Sequence, residues 1–158
     1  MRSDPYNAQI ALTRVNKANQ GAKFAVLMVD LDGLKKINDR MGHDAIDSTL
    51  RAVGETLRET CRGSDVIARY GGDEFGVLAI RSTGDAALEL ARRIFATLIQ
   101  RSSASQQASG MLSVSIGVAD TASAATDRDK LVACADSALF EAKRTGRNGA
   151  VLYGAEAL

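Results

Sequence analysis

The sequence predicts an α+β domain in which helices pack on a central mixed sheet. Three observations predict it. Phe24 to Val29 is apolar at every position, as in a strand covered on both faces. Val66 to Tyr70 and Phe75 to Ile80 read as two strands joined through Gly71-Gly72, a favoured two-residue hairpin turn because both positions tolerate positive φ. The remaining strands are separated by stretches with helical periodicity. A tight hairpin set among such crossovers needs both antiparallel and parallel neighbours.

Ala8, Ala11/Leu12, Val15 and Ala18 suggest a short amphipathic helix, with Asp4-Pro5 as its cap and first position. Ile46, Leu50, Val53 and Leu57 form one helical stripe, and Leu88, Ala91, Ile94/Phe95 and Leu98 another. Arg101 to Gly110 is Ser/Gln-rich and reads as a loop. Val114, Ile116 and Val118 alternate with Ser113, Ser115 and Gly117, predicting a strand with one buried face. Leu131, Ala135, Ala138/Leu139 and Ala142 predict a last long helix ended by Gly146, and Ala150 to Tyr153 a final strand.

At 158 residues the chain is long enough for one domain with one sizeable core, and residues 1–158 are read as a single unit. A net charge of +1 offers no general attraction to nucleic acid or anionic lipid, so any anion must be held by local charge placement. Cys61 and Cys134 lie far apart without a histidine cluster, which disfavours zinc, and both read as small core residues. No apolar run approaches the roughly 20 residues that span a bilayer, and no secretory leader is visible. A cytoplasmic location is expected.

Two acidic clusters stand out. Asp30-Leu31-Asp32 ends the buried strand, and Asp73-Glu74 follows the Gly-Gly pair. Carboxylates crowded at strand ends repel one another, and a hard divalent cation relieves that repulsion. Mg²⁺ prefers one or two carboxylates together with substrate phosphates.

The wider pattern resembles the GGDEF family of diguanylate cyclases. Asp30-Leu31-Asp32-Gly33-Leu34-Lys35-Lys36-Ile37-Asn38-Asp39 with Gly42-His43-Asp44-Ala45-Ile46-Asp47 is similar to its first signature, and Arg69-Tyr70-Gly71-Gly72-Asp73-Glu74-Phe75 holds its name motif intact. Ser113 to Ala119 and Ala135 to Asn148 resemble its next strand and last helix. The resemblance implies a mostly antiparallel, palm-like nucleotidyl cyclase fold. It implies condensation of two GTP molecules into cyclic di-GMP and pyrophosphate, with Mg²⁺ (or Mn²⁺ in its place), across a face-to-face homodimer. A catalytically weak domain that only binds GTP or cyclic di-GMP is the alternative.

Carried over residue by residue, the resemblance makes Asp30, the Leu31 carbonyl, Asp73 and Glu74 the metal site, and Asp73, Glu74 and Lys35 the catalytic set. Gly33, Leu34 and Lys35 would offer amides to the phosphates, and Gly71 and Gly72 would let the nucleotide approach the backbone. Lys143 and Arg147 would bind phosphate. Asn38 and Asp47 would read guanine, adenine being rejected because it would leave Asp47 unpaired in a buried site. Arg62 and Asp65 match an inhibitory site for the product, with Arg92 or Arg93 as a further contact. His43 is expected to be structural or capping. Leu34 and Ile46 depart from the family's usual Phe and Gly. Pro5-Tyr6-Asn7 replaces the usual Asp-x-Leu-Thr-Gly-Leu opening, the segment that normally joins this domain to an N-terminal sensor, which implies a missing regulatory partner.

Overall fold

The computed structural model describes residues 22–104, 112–124, 128–146 and 148–155. The amphipathic helix, the Asp4-Pro5 cap and the altered opening predicted before residue 22 lie outside the described residues, as does Arg147. The elements are β1 (Phe24–Asp32), α1 (Leu34–Met41), α2 (His43–Thr60), β2 (Val66–Arg69), β3 (Glu74–Ile80), α3 (Gly84–Ala104), β4 (Ser113–Asp120), the single turn α4 (Thr121–Ala124), α5 (Arg128–Arg144) and β5 (Gly149–Leu152).

The five strands form one sheet in the order β2-β3-β1-β4-β5. β1 is central and runs antiparallel to both β3 and β4, while β4 and β5 are parallel across the α5 crossover. The mixed, mostly antiparallel sheet expected from the sequence is therefore present. Odd-numbered β1 side chains Ala25, Leu27, Val29 and Leu31 join Leu50, Val53 and Leu57 of α2 and Ala91, Ile94 and Leu98 of α3 in the larger core cluster. The even-numbered set Phe24, Val26 and Met28 meets Leu131, Ala135 and Leu139 of α5 on the other face. This is the period-2 alternation of a strand buried on both sides.

Four expectations change. The hairpin is not a two-residue turn: Tyr70 to Asp73 link β2 to β3, and the positive-φ glycines among the described residues are Gly33, Gly42, Gly146 and Gly154, not Gly71 or Gly72. The loop is instead held by the Tyr70 amide donating to the Glu74 carbonyl (2.9 Å) and by the Arg69 guanidinium donating to the carbonyls of Gly71 (2.9 Å) and Gly72 (3.0 Å).

The second change is in β4, which is buried on both faces, because α5 covers Ser115, Gly117 and Ala119. A Cβ on Gly117 would stand 2.1 Å from the Ala135 carbonyl oxygen and 2.2 Å from the Leu139 amide nitrogen, so the missing side chain lets the helix backbone rest on the strand. Third, α1 follows the first acidic cluster where no separate helix was predicted. Fourth, α3 continues to Ala104, through the first residues of the expected loop.

The end of the last helix is as expected. α5 ends at Arg144, and Gly146 beyond it has φ 119°. Both cysteines are free and half-buried. Burial and the charge of Asp65 push the Cys61 thiol up to about 11, against the opposing pull of Arg93. Among the described residues, no helix is long and apolar enough to cross a membrane.

Candidate active site at the end of the central strand

The two acidic clusters meet. In the β1–β3 register Asp30 lies opposite Glu74, and the Leu31 amide donates to the Asp73 carbonyl at 2.9 Å. One strand residue sends its amide and its carbonyl to the same edge. The Leu31 carbonyl therefore leaves β1 on the side of the Asp73 loop. Asp30 is 4% exposed, Glu74 is half-buried at the start of β3, and Asp73 is exposed on the loop.

The burial of Asp30 has a counter-ion. α5 is lowered onto β4 at Gly117, and its inward residues Ala135 and Leu139 continue at the same spacing to Lys143. The Lys143 ammonium donates to Asp30 Oδ2 in an ion pair that is largely shielded on the carboxylate side. This hydrogen bond to Asp30 raises the Lys143 pKa, against some desolvation, with Asp32 and Glu74 adding in the same direction. Asp30 Oδ1 has no hydrogen-bond partner despite its burial.

Glu74 feels the opposite environment. Burial first, then the charges of Asp30, Asp73 and Asp136, hold its carboxyl above the usual glutamate range, with Lys143 pulling the other way. Asp136 is itself raised by burial. Asp136 received no role from the sequence, although the signal was there. It stands seven residues before Lys143, two turns along the same helix face.

The amides expected to face phosphate belong to a helix start rather than an isolated turn. Gly33, at φ 93°, is the N-cap of α1, no side chain caps that end, and its carbonyl accepts the Ile37 amide at 3.0 Å. The first amides of a helix point outward at the positive end of its dipole, the arrangement that receives anions. Lys35 is exposed in that first turn. Leu34 packs partly against the main core, and Ile46 does the same.

Asn38, half-buried on α1, and Asp47, exposed on α2, lie on consecutive helices joined at Gly42. The exposure of Asp47 corrects the argument from a buried base site: its desolvation would have to come from the nucleotide or a facing domain. His43 opens α2 after the cap Gly42 and is exposed, with no side-chain capping bond at that end, so a capping role is not seen. Gly72 has no atom within 4 Å of an added Cβ, and at Gly71 only Glu74 Oε2 comes near, at 3.7 Å. The loop surface is open to an approaching ligand.

Among the described residues, no three His, Cys, Asp or Glu side chains are gathered into a ready-made metal cage. The donors at this strand end are nonetheless all oxygen, they are mutually repelling, and the buried Asp30 Oδ1 has no hydrogen-bond partner. Such a set fits a hard cation that takes one or two carboxylates and completes its shell from phosphates and water. A groove of ≈ 440 Å³ lined by Ile37, Ala45, Val53, Leu98 and Arg101 lies on the core-side face and includes none of these residues.

A second cluster forms at the far end of the β2–β3 hairpin. Arg62, Asp65 and Arg93 border one shallow cleft with Ile80 and Ser82. Of the two arginines considered on α3, Arg93 is the one at the cleft, while Arg92 pairs with Glu89. Asp65 is fully engaged with backbone: Oδ2 accepts the Arg62 amide (2.9 Å) and Oδ1 the Ile80 amide (3.1 Å).

A mixed sheet that brings acidic strand ends and a helix-borne lysine together defines an α+β domain of the palm-like class. The family model described as diguanylate cyclase, GGDEF domain, matches residues 7–149, and the chain belongs to that family. Diguanylate cyclase DosC of Escherichia coli K12 is 37% identical over 136 residues, which cover 85% of this chain and 29% of DosC. The chain thus spans less than a third of that relative. The GGDEF domain of TpbB (YfiN) from Pseudomonas aeruginosa superposes with a TM-score of 0.78 at 35% identity, covering 94% of this chain and 86% of that one. A microbial GGDEF domain solved for its interaction with bis-(3′,5′)-cyclic di-GMP gives a TM-score of 0.76 at 30% identity over 92% of this chain and 90% of that one.

Proposed function

We propose that this domain is the catalytic unit of a diguanylate cyclase that joins two GTP molecules into cyclic di-GMP and releases pyrophosphate. The observation that carries the reading is the convergence of Asp30, the Asp73 loop, Glu74 and Lys143 on one strand end beside the open N-terminus of α1. An intact acidic set with its lysine favours turnover over a domain that only binds nucleotide.

In this mechanism the 3′-hydroxyl of one GTP attacks the α-phosphorus of the other. Asp30, the Leu31 carbonyl, Asp73 and Glu74 would hold Mg²⁺ or Mn²⁺, which when bound offsets phosphate charge and lowers the pKa of the attacking hydroxyl. The Leu34 and Lys35 amides and the Lys35 ammonium orient the β- and γ-phosphates. Lys143, with Arg147, adds positive charge at the triphosphate. Asp73 is the proton acceptor that the resemblance suggests, with Glu74 beside it. Asn38 and Asp47 read the guanine edge. Positioning and preorganised charge do most of the work, as in other phosphoryl transfers.

One domain presents one nucleotide, whereas the product is two-fold symmetric, so two copies must face each other. Arg62 and Arg93 frame a site for returning product, a proposal supported by the relative studied with cyclic di-GMP. The small share of DosC that the chain spans supports a regulatory segment elsewhere in the full protein, and a cytoplasmic setting is proposed for the domain. The test is direct: purified domain incubated with GTP and Mg²⁺ yields cyclic di-GMP by mass spectrometry, and GTP left intact at high protein concentration refutes the reading.

A further inference from the structure

Ser115 lies directly opposite Asp30 in the β1–β4 register. Directly opposed residues of an antiparallel pair share a face, with Cβ atoms roughly 4.5–5.5 Å apart. Both are sealed from water, Ser115 at 0% and Asp30 at 4% exposure. Each nevertheless keeps one polar atom without a hydrogen-bond partner, Oγ of Ser115 and Oδ1 of Asp30. Unpaired buried polar atoms are costly and uncommon. Here the two are complementary, because a hydroxyl can donate and an ionised carboxylate can only accept.

The neighbouring side chain shows that this is not simply how serine sits on β4. Ser113, two residues earlier on the same face, donates to Asn148 Oδ1 at 3.0 Å. Ser115 is left idle while Lys143 engages only Oδ2 of the carboxylate beside it.

We propose that Ser115 is a positioning residue for Asp30: when the nucleotide–cation complex occupies the site, its hydroxyl turns to donate to Oδ1 and fixes the carboxylate plane. Ligating carboxylates are commonly held this way by a further hydrogen bond, and loss of such a partner weakens metal affinity by one to two orders of magnitude. The inference rests on Asp30 being a cation ligand, as in the proposed function. Packing alone would be served as well by alanine, which would leave no hydroxyl unpaired in the resting state.

The test is calorimetric titration with the non-cleavable nucleotide guanosine 5′-α,β-methylene-triphosphate, once with Mn²⁺ and once with EDTA, on wild type, Ser115→Ala and Ser113→Ala. Ser115→Ala weakens the Mn²⁺-loaded nucleotide on the order of tenfold, leaves the metal-free nucleotide unchanged, and melts no lower than wild type without ligand. Ser113→Ala matches wild type in both titrations. Equal affinity of Ser115→Ala and wild type for the loaded nucleotide overturns the proposal. So does an equal loss with and without Mn²⁺, or a lowered melting point, either of which marks a structural role. A wild type whose affinity ignores Mn²⁺ removes the cation reading of Asp30 itself, an outcome distinct from the others.

Discussion

The ammonium of Lys143 closes on the carboxylate of Asp30 across 113 residues of chain. Without a bound cation it is the counter-ion that makes a buried carboxylate tolerable at the end of β1. Removing one partner of a buried pair leaves an uncompensated charge, and the cost is reduced here because the Lys143 side chain is 31% exposed. Lys143→Ala is expected to destabilise the metal-free domain by about 1–3 kcal/mol. Adding Mg²⁺ should recover much of that loss, since a cation at Asp30 replaces the missing charge. Thermal melts of wild type and variant with EDTA and with Mg²⁺ read both effects. The same variant should lose synthesis, because the proposed mechanism also uses this lysine at the triphosphate.

Glu74 carries a pH signature. Burial and three neighbouring carboxylates raise its pKa in the fold. A carboxyl with a raised folded pKa binds more protons when folded than when unfolded. Its contribution is most favourable below the ordinary glutamate value of about 4.3, and declines as pH rises through the window up to the folded pKa. Glu74→Gln removes that penalty. The metal-free variant should melt about 1–2 °C above wild type at neutral pH, a small gain because solvent screens a partly exposed carboxylate, and the gap should close below about pH 4. Synthesis should fall at least about a hundredfold. A variant with full activity overturns the site.

The proposed product site at Arg62 would separate chemistry from control. Arg62→Ala or Arg93→Ala should leave initial synthesis intact and raise the product inhibition constant roughly ten- to a hundredfold, the equivalent of about 1.5–3 kcal/mol for a lost charged contact. Asp65 is the wrong residue to test this with. Both of its oxygens accept backbone amides, so Asp65→Ala should cost stability of about 1–3 kcal/mol whether or not product binds. Inhibition curves with added cyclic di-GMP, read beside melting temperatures, distinguish the two kinds of loss.

What could be read from the chain follows from range. The strand Phe24 to Val29 and the acids that end it are contiguous, so both were visible as one buried strand with charge at its tip. The Gly71-Gly72 loop was visible as a turn, but glycine permits many backbone angles and specifies none, and the positive φ expected there is absent. α1 went unseen although Leu34, Ile37 and Met41 stand at i, i+3 and i+7, because the helix is barely two turns long and only Ile37 of its eight residues is fully buried. The polar look of Ser115 and Gly117 suggested a solvent-facing side of β4. In the fold their small size is what admits α5. The Lys143–Asp30 pair depends on that approach, a relation between residues far apart that no local pattern records.

Gly117 therefore offers the sharpest separation of scaffold from chemistry. It is not among the residues that face substrate, yet an added Cβ meets backbone atoms of α5 at 2.1, 2.2 and 2.7 Å, and backbone cannot swing aside as a flexible side chain can. Gly117→Ala must lift α5 from β4 or tilt it. Overpacking of this kind costs about 1–3 kcal/mol and sometimes more. Because Ala135, Leu139 and Lys143 lie along one line of the helix, the displacement carries the ammonium away from Asp30. The folded variant should thus lose most of its synthesis with every acidic residue in place. Its metal-free stability should also become less sensitive to a second change, Lys143→Ala, than that of wild type. A double-mutant cycle from thermal melts measures this coupling. Additive losses would mean that the ion pair does not depend on the close packing of α5 over Gly117.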